Sequence, residues 1–383
     1  MRTSLLVLPM VLAFHAAGAA TMLTVCAAGC DHADPLAAWV AATARVQQPG
    51  DSVLIKISDG IYAVHDQFFT DCPCTERIQV IGNPGAPEKV VLDFVNITGT
   101  NFSGFAATNG GRVGLVDGVL IKGNGARMGR TEWRRDSYGS AVLAEGSGSS
   151  VSLGPHVVVD SFYYGILADQ GGRVTADGST FRNAGDANLL ARFGGVIQCR
   201  GCNARTAAHI LDNGAETLGY NALAEGGSLY VDGSSFADAQ VACVAAQSNG
   251  LAWAHRITAT GCLGSGARAS QNGFLELNNA HLSHNAVGVY ATTGGGLNLN
   301  AAEMDHNTRE GVLLDGGRAA GSRVSVHDNG ASGIKVMKQG RGEFYKTGPL
   351  LTGNAGGPVS VERATGCTVA NAPCSPASTL ILD

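Results

Sequence analysis

The chain has 383 residues, of which 54 are Gly, 6% are aromatic and 15% are charged. Low charge beside 45% hydrophobic residues argues against a disordered chain, and so much Gly argues against an ordinary helical domain, because Gly is costly inside helices. The net charge of −5 argues against broad nucleic-acid binding, which needs an excess of basic residues.

The N-terminus has the pattern of a secretory signal. Residues 1–4 include an Arg, residues 5–13 are predominantly apolar, and residues 16–20 are small. We therefore predict a signal peptide over residues 1–20 and a secreted, periplasmic or cell-surface location; a buried N-terminal helix is the alternative. The apolar run is too short to span a membrane, and no later stretch reaches about 18 apolar residues, so no membrane span is predicted.

The ten cysteines support export. An even number of Cys in an exported chain predicts disulfides, although the connectivity does not follow from sequence. A redox or zinc site at the Cys199–Cys202 spacing is the alternative, but no second such spacing or nearby His pair completes a zinc tetrahedron. The ten fall into five close sequence pairs: Cys26/Cys30, Cys72/Cys74, Cys199/Cys202, Cys243/Cys262 and Cys367/Cys374.

The first predicted element of the mature chain is a helix that begins after Asp34. Asp34 suits the N-cap and Pro35 the first helical position, and the helix should end before Pro49. A strand follows at residues 52–57. A helix over the end of a stack of strands would cover core that is otherwise exposed, so we predict a cap over residues 21–75.

A repeat organises the rest of the chain. Asn285, Asn307 and Asn329 recur every 22 residues, each followed by a Gly and a short apolar strand. A unit of this length cannot bury its own apolar face, so it must stack on its neighbours as one rung of a parallel β-solenoid. We predict an all-β fold, a single-stranded right-handed parallel β-helix over residues 76–365, followed by a tail over residues 366–383.

The order of these elements resembles a known superfamily. The helix, the strand, residues 59–62, residues 78–84 and the Asn-Gly-strand rungs of residues 285–336 are similar to right-handed parallel β-helix proteins of the pectate-lyase-like superfamily. The resemblance covers roughly residues 24–365 and implies the fold; that superfamily holds lyases, hydrolases, esterases, epimerases and non-catalytic spikes. Its activity signatures are missing here, so no catalytic residue is carried over from it.

Aligning the rungs predicts which side chains face the core. In each five-residue strand, the second and fourth positions should point inward and the first, third and fifth outward. The third position forms an apolar column, from Leu143 and Leu167 to Leu190 and Leu223, which a terminal segment or other subunits would cover. The alternative is a register that is wrong by one residue. The aligned strands are 141–145, 165–169, 188–192, 221–225, 243–247, 267–271, 288–292, 311–315 and 333–337.

The fifth position forms a polar column that we interpret as a candidate site. Overlong stretches precede the strands at residues 141 and 221, and both should leave the same corner and border four rungs, which span roughly 14 Å. Stacked carboxylates would lie ~5 Å apart, as in a retaining glycosidase, and Arg side chains suit uronate carboxylates. A solvated ladder of ion pairs is the alternative. The predicted catalytic residues are Glu145, Asp169, Arg192 and Glu225, and the predicted substrate-binding residues are Arg130, Trp133, Arg134, Arg135 and Tyr138.

Two further columns favour structural roles. The Asn residues of the repeat should form an internal hydrogen-bonded ladder, and His284, His306 and His327 are better read as turn residues on the surface than as a metal column. We predict no cofactor, metal or nucleic-acid partner. The predicted function is a secreted polysaccharide-interacting protein, a lyase or glycosidase acting on an anionic glycan. The alternative is a non-catalytic spike or adhesin that self-associates, as a homotrimer would, through the apolar column.

Overall fold

The computed structural model describes residues 20–94, 102–123, 139–207, 209–210, 217–345, 351–361, 368–369, 372–373 and 379–382. Within this part of the chain, three long parallel sheets form the sides of a right-handed β-helix, which confirms the predicted fold. Each rung contributes a strand to the first sheet, then to the second, then to the third. We number the sheets in that order.

The first sheet has 14 strands in the described part of the chain. They are Ala20–Val25, Ser52–Ile57, Ile78–Ile81, Arg112–Asp117, Ser150–Leu153, Arg173–Thr175, Val196–Gln198, Ser228–Tyr230, Leu251–Trp253, Phe274–Glu276, Gly296–Asn298, Arg318–Ser322, Arg341–Tyr345 and Thr379–Leu382.

The second sheet has 11 described strands and the third has 12. The second sheet holds Gly60–Ala63, Val90–Asp93, Leu120–Lys122, Val158–Asp160, Thr180–Ala184, Asn203–Ala207, Ser235–Ala239, Thr258–Thr260, His281–Ser283, Glu303–Asp305 and Ser325–His327. The third sheet holds Phe68–Thr70, Ser103–Thr108, Ser140–Glu145, Tyr164–Asp169, Ala187–Arg192, Tyr220–Glu225, Ala242–Gln247, Ser265–Ala269, Val287–Thr292, Val312–Asp315, Ile334–Met337 and Val359–Val361.

Short elements complete the described fold. Two antiparallel pairs lie outside the three sheets, and two 3₁₀ helices lie in the N-terminal rungs. The pairs are His209–Ile210 with Thr217–Leu218 and Thr368–Val369 with Ala372–Pro373, and the 3₁₀ helices are Pro73–Arg77 and Pro87–Lys89.

The α-helix Pro35–Arg45 packs on the first rungs, as the sequence predicts. The Asp34 side chain accepts a hydrogen bond from the Leu36 N–H, and Pro35 is the first helical residue. The buried Trp39 ring packs edge-on against Phe68, with ring centroids 5.9 Å apart. The helix thereby covers aromatic core that would otherwise face solvent.

The solenoid interior follows the predicted alternation, with two corrections. Val142, Ala144 and their equivalents on other rungs are fully buried, as predicted for the second and fourth positions. The first position also points inward: Cys243 at that position belongs to the core, so the outward prediction for it is wrong. The first and second positions of this third-sheet strand, Cys243 and Val244, both face the core because the strand begins at a corner of the solenoid.

For one rung, the strand predicted from sequence begins one residue too late. Val244 pairs with Ala267, and Ala245 with Arg268. Arg268 therefore occupies the outward third position, whereas the sequence alignment placed it inward. The cause is the replacement of the usual apolar residues by Ala and Ser in residues 265–270, which leaves the periodic pattern with little contrast.

The Asn column is the internal ladder that the sequence predicts. Asn285, Asn307 and Asn329 are buried, and the amide oxygen of each accepts from the backbone N–H of a neighbouring rung. The Asn307 side chain also donates to Asn329 Oδ1 at 2.9 Å. Because the groups are buried and mutually satisfied, the ladder fixes the turn that leads from the second sheet to the third.

Four of the five close cysteine pairs are disulfides in the structure. They are Cys26–Cys30, Cys72–Cys74, Cys199–Cys202 and Cys243–Cys262. Cys199 and Cys202 are buried as well as bonded, which removes the redox and zinc alternatives for them. Cys367 and Cys374 lie outside the described residues, as do residues 1–19 of the predicted signal peptide.

Candidate functional site

The outer face of the third sheet changes character along the solenoid. From Ser140–Glu145 to Ala242–Gln247 its third position carries Leu or Ala, and we call this part the closed half. From Ser265–Ala269 to Ile334–Met337 the same position carries Arg268, Tyr290, Leu313 and Lys335, and we call this part the open half. The two halves are continuous within one sheet.

In the closed half, the apolar column points outward and is nevertheless buried. Leu167, Leu190 and Leu223 are 7%, 2% and 4% exposed, and they pack with Tyr163, Tyr164 and Tyr220 in a cluster separate from the core. Burial raises the pKa of the Tyr220 phenol, which is consistent with a dry environment. The column therefore points outward and is covered, as predicted, but its burial occurs within one chain and does not require other subunits.

The four predicted catalytic residues are stacked on consecutive rungs, as expected. Glu145 pairs in register with Asp169, and Arg192 with Glu225. Arg192 Nη2 lies 2.8 Å from Asp169 Oδ2, and the Asp169 side chain is only 4% exposed. Desolvation alone would lower the pKa of Arg192, but its hydrogen bonds to Asp169 outweigh that and raise it. The ladder thus contains a largely buried ion pair.

Both ends of this ladder remain accessible. Glu145 accepts a hydrogen bond from Gln170 at 3.1 Å, and Glu225 accepts one from Gln247 at 3.3 Å. Glu145 and Glu225 are partly exposed, whereas Asp169 lies between them and is buried. A ligand on this face would meet the two Glu side chains and the edge of Arg192.

The two overlong stretches each connect a second-sheet strand to a third-sheet strand, so the strands that flank them meet at one corner, as predicted. One lies between the second-sheet strand Leu120–Lys122 and the third-sheet strand Ser140–Glu145, and the other between Asn203–Ala207 and Tyr220–Glu225. Arg130, Trp133, Arg134, Arg135 and Tyr138, the predicted substrate-binding residues, lie outside the described residues.

The open half contains a cleft that the sequence did not reveal. Its volume is about 490 Å³, and its walls come from the third-sheet strands and from the turns that precede them. Its lining residues include Leu263, Arg268, Tyr290, Arg309, Asp315 and Lys335. The sequence alignment does not identify Arg268 as a site residue, because it turns this side chain toward the core. The signal that the sequence does contain is the change from Leu to Arg, Tyr and Lys at the third strand position.

Charged side chains in and beside the cleft are arranged around two carboxylates. Glu310 is 4% exposed, with Lys335 Nζ 3.3 Å from its Oε1 and the Arg309 guanidinium 3.4 Å from its Oε2. Lys338 Nζ lies 3.1 Å from Asp315 Oδ2. With Arg268, four cations stand against two anions, so the cleft has a net positive charge.

Arg268 is held in place by an aromatic ring. Its guanidinium carbon lies 5.5 Å from the centroid of the Tyr290 ring on the next rung. The Tyr290 hydroxyl in turn lies 3.4 Å from Asp315 Oδ2. These contacts position the guanidinium beside the cleft.

Four buried polar atoms in this region make no hydrogen bond to any described residue: Ser265 Oγ, Arg268 Nε, Glu310 Oε2 and Asp315 Oδ1. A buried donor or acceptor without a hydrogen bond is costly, so such groups usually mark a position where a ligand or water completes the set. One N–H donor, two carboxylate acceptors and one hydroxyl group in this region suit a sugar ring, whose hydroxyl groups both donate and accept.

Metal binding finds no support in the described part of the chain. No group of three or more His, Cys, Asp or Glu side chains there is placed to hold a metal ion. Among the same residues, no helix is long and apolar enough to cross a membrane.

Comparisons with known proteins support the fold. Residues 221–372 match the family model described as "Right handed beta helix region". The A-module of a mannuronan C-5 epimerase from Azotobacter vinelandii is similar in structure, with a TM-score of 0.50 and 10% sequence identity over 90% of this chain and 94% of that one. No sequence match was found among curated proteins.

Two further solved structures share the fold at lower similarity. A periplasmic alginate epimerase has a TM-score of 0.46 and 10% identity, over 80% of this chain and 76% of that one. The catalytic domain of a GH87 alpha-1,3-glucanase, solved with nigerose, has a TM-score of 0.45 and 11% identity, over 90% of this chain and 66% of that one. At such identities, no residue role is carried over to this chain.

Proposed function

We propose that this protein binds an anionic polysaccharide along the outer face of its third sheet, with the cleft of the open half as the principal docking site. The observation that carries the proposal is the ordered Arg268 guanidinium, whose buried Nε makes no hydrogen bond to a described residue in a cleft of net positive charge. A guanidinium is suited to a carboxylate or sulfate because it donates along two parallel directions.

The geometry of a linear ligand also fits this face. Successive rungs are ~4.8 Å apart, so the strands from Ser265–Ala269 to Ile334–Met337 span roughly 14 Å, about the length of a short run of sugar residues. The mannuronan C-5 epimerase, named for a polymeric substrate, has the same fold. We propose that a chain lying parallel to the solenoid axis places one acidic sugar over Arg268.

Catalysis at the closed half remains a separate prediction. Glu145 and Asp169 lie on adjacent rungs, and this is the spacing of a retaining pair, but Asp169 is buried and bound to Arg192. Glu145 and Glu225 are three rungs apart, roughly 14 Å, which exceeds the spacing of inverting pairs. Binding is therefore better supported than hydrolysis by Glu145, Asp169, Arg192 and Glu225.

The non-catalytic spike is the second candidate function. It was motivated by an exterior apolar column, and that column is buried within one chain. Self-association through it would first require the closed half to open. We therefore place polysaccharide binding first, and propose export of the protein on the strength of its disulfides.

The binding proposal is tested with a polysaccharide panel. Purified mature protein is titrated with polygalacturonate, alginate and dextran sulfate, and with neutral dextran as the uncharged control. We expect the anionic polymers to bind and Arg268→Met to weaken that binding about tenfold or more, because a hydrogen bond to a charged group contributes about 1.5–3 kcal/mol. Arg318→Met, an exposed Arg on the first sheet, is the matched control and should bind normally.

Two outcomes contradict this proposal. One is equal binding of dextran and the anionic polymers, and the other is an Arg268→Met variant that binds as well as the unchanged protein. Cleavage is measured in the same samples as new reducing ends and, separately, unsaturated ends. If Glu145→Gln and Asp169→Asn leave cleavage intact in folded protein, the catalytic prediction for the closed half is wrong.

A further inference from the structure

A group of four histidines lies beside the corner that leads into the cleft. His281 and His327 are on strands of the second sheet, and His284 and His306 are in the turns that follow such strands. Three carboxylates accompany them on the same rungs and turns. We call the set the histidine ribbon: His281, His284, His306, His327, Glu303, Asp305 and Asp328.

The ribbon is tightly hydrogen-bonded. His281 Nε2 and His306 Nδ1 each lie 2.6 Å from a different oxygen of Asp305. His327 lies between two carboxylates, with its Nε2 3.0 Å from Glu303 and its Nδ1 2.9 Å from Asp328. The hydrogen bond to Glu303 is the main reason that the pKa of His327 is raised, which moves its titration toward neutral pH.

The ribbon adjoins the cleft through short turns. His284 is followed in its turn by the cleft-lining Ala286, and His306 by the cleft-lining Arg309. Three residues span at most ~11 Å, so His306 lies within about one Debye length of the cleft wall. The buried Asn285 and Asn307 side chains fix these turns, so this proximity is a property of the folded chain.

We infer that the histidine ribbon makes the cleft bind anionic ligands more tightly as the pH falls, an inference that rests on the proposed function. With neutral histidines, Glu303, Asp305 and Asp328 place three negative charges beside the cleft. Protonation of up to four imidazoles neutralises these charges and exceeds them by one. The potential that an anionic ligand meets at the cleft therefore becomes more favourable as the histidines are protonated.

Charged groups face the ribbon from both sides of the turn. The groups that act on His327 are Glu303, Asp305 and Asp328, and those that act on Asp305 are His281 and His306. On the cleft side of the turn stand Arg309 and the buried Glu310. Arg309 stays charged throughout, and within the ribbon the pKa of His327 is the one that its carboxylate partners raise.

The probe for this inference is dextran sulfate, because its sulfate esters do not titrate in that range. Its affinity is measured at about pH 5, 6, 7 and 8 at constant ionic strength, with neutral dextran as a control. Charges about one Debye length away change affinity modestly, so we expect binding at about pH 5 to be about three- to tenfold tighter than at about pH 8.

A quadruple variant isolates the ribbon: His281→Gln, His284→Asn, His306→Asn and His327→Gln. Asn suits the two turn positions because His284 and His306 have φ of 58° and 51°, a left-handed conformation that Asn tolerates. His156→Gln, at a corner between the first and second sheets, is the matched control. Circular dichroism and thermal unfolding establish that each variant is folded.

The inference holds if the quadruple variant loses the pH dependence while the His156→Gln protein keeps it. It is overturned if the unchanged protein binds dextran sulfate equally at all four pH values, or if the quadruple variant keeps the full dependence. Absence of binding to any anionic polymer at any pH would instead overturn the proposed function, and this inference with it.

Discussion

The closed and open halves of the third sheet share a backbone and differ in their outward side chains. In the closed half, Leu167, Leu190 and Leu223 are buried in a cluster that includes three tyrosines. In the open half, Arg268, Tyr290 and Lys335 occupy the corresponding position and border a cleft. A solenoid can thus carry a second small hydrophobic cluster and a ligand cleft on one face, because each rung contacts mainly its neighbours.

The two halves also differ in how their arginines are bonded. Arg192 is bound to Asp169 through two of its nitrogens, which lie 3.0 and 2.8 Å from Asp169 Oδ2. Arg268 rests on an aromatic ring and leaves its buried Nε without a hydrogen bond to a described residue. Arg192 is engaged in an ion pair that stabilises the fold, although both of its hydrogen bonds go to one oxygen and Asp169 Oδ1 is buried without one. Arg268 instead keeps a buried donor that a ligand can use.

The largest expected effect compares these two arginines directly. Arg192→Met should lower the free energy of unfolding by about 3 kcal/mol, because it leaves the buried Asp169 carboxylate without its partner. Arg268→Met should change it by less than about 1 kcal/mol, since the Met keeps the apolar stem and removes an incompletely bonded donor. Equilibrium urea unfolding of both variants measures the difference.

The double variant Arg192→Met with Asp169→Leu is the control for that comparison. Removing both charges should restore much of the lost stability, since an apolar pair avoids the buried unpaired charge. The contrast between the two halves fails if Arg268→Met destabilises the protein as much as Arg192→Met does.

A smaller effect is expected from making the open half resemble the closed half. Tyr290→Leu removes the ring beneath Arg268 and the hydroxyl near Asp315. A cation–π contact contributes about 0.5–2 kcal/mol, so we expect affinity for dextran sulfate to fall about threefold to tenfold. Tyr230→Leu, on the outer face of the first sheet, is the control and should leave binding unchanged. Unaltered affinity in Tyr290→Leu would show that Arg268 binds dextran sulfate without support from the Tyr290 ring.

The fold followed from the sequence because its signals are periodic and local. Recurrent Asn and Gly residues at a 22-residue spacing specify turns, and apolar alternation specifies which face is buried, so the rungs and the capping helix were predictable. The inward first position was not predictable, because it depends on the corner geometry that places Cys243 in the core.

The candidate site was harder to predict, since it depends on side chains from several rungs meeting in space. The stacking of Glu145 on Asp169 followed from the register alone. The cleft did not, because one rung of low apolar contrast was aligned one residue too late and Arg268 was turned toward the core. Burial of the leucine column also depends on tertiary covering, which the strand pattern does not contain.

The smallest predicted effect is a pH dependence of stability beside the open half. The pKa of His327 is raised above 6.5 by its carboxylate partners, so its contribution is complete below about pH 6.5 and is lost as the pH rises through the raised pKa. Burial alone would raise the pKa of Asp305, but its hydrogen bonds to His306 and His281 lower it below 3.8. Its contribution is therefore present above about pH 3.8 and is lost as the pH falls through the lowered pKa.

We expect the melting temperature to be highest between these limits and to decline toward alkaline pH. His327→Gln should flatten the alkaline decline, whereas His156→Gln should not. At the matching corner of the closed half, Asp160 is held by Arg182, which stays charged across this range. Hydrogen exchange, corrected for its intrinsic pH dependence, should consequently show faster amide exchange at alkaline pH in the rungs around Glu303–Asp305. An equal increase around Val158–Asp160 would show that the two halves do not differ in this respect.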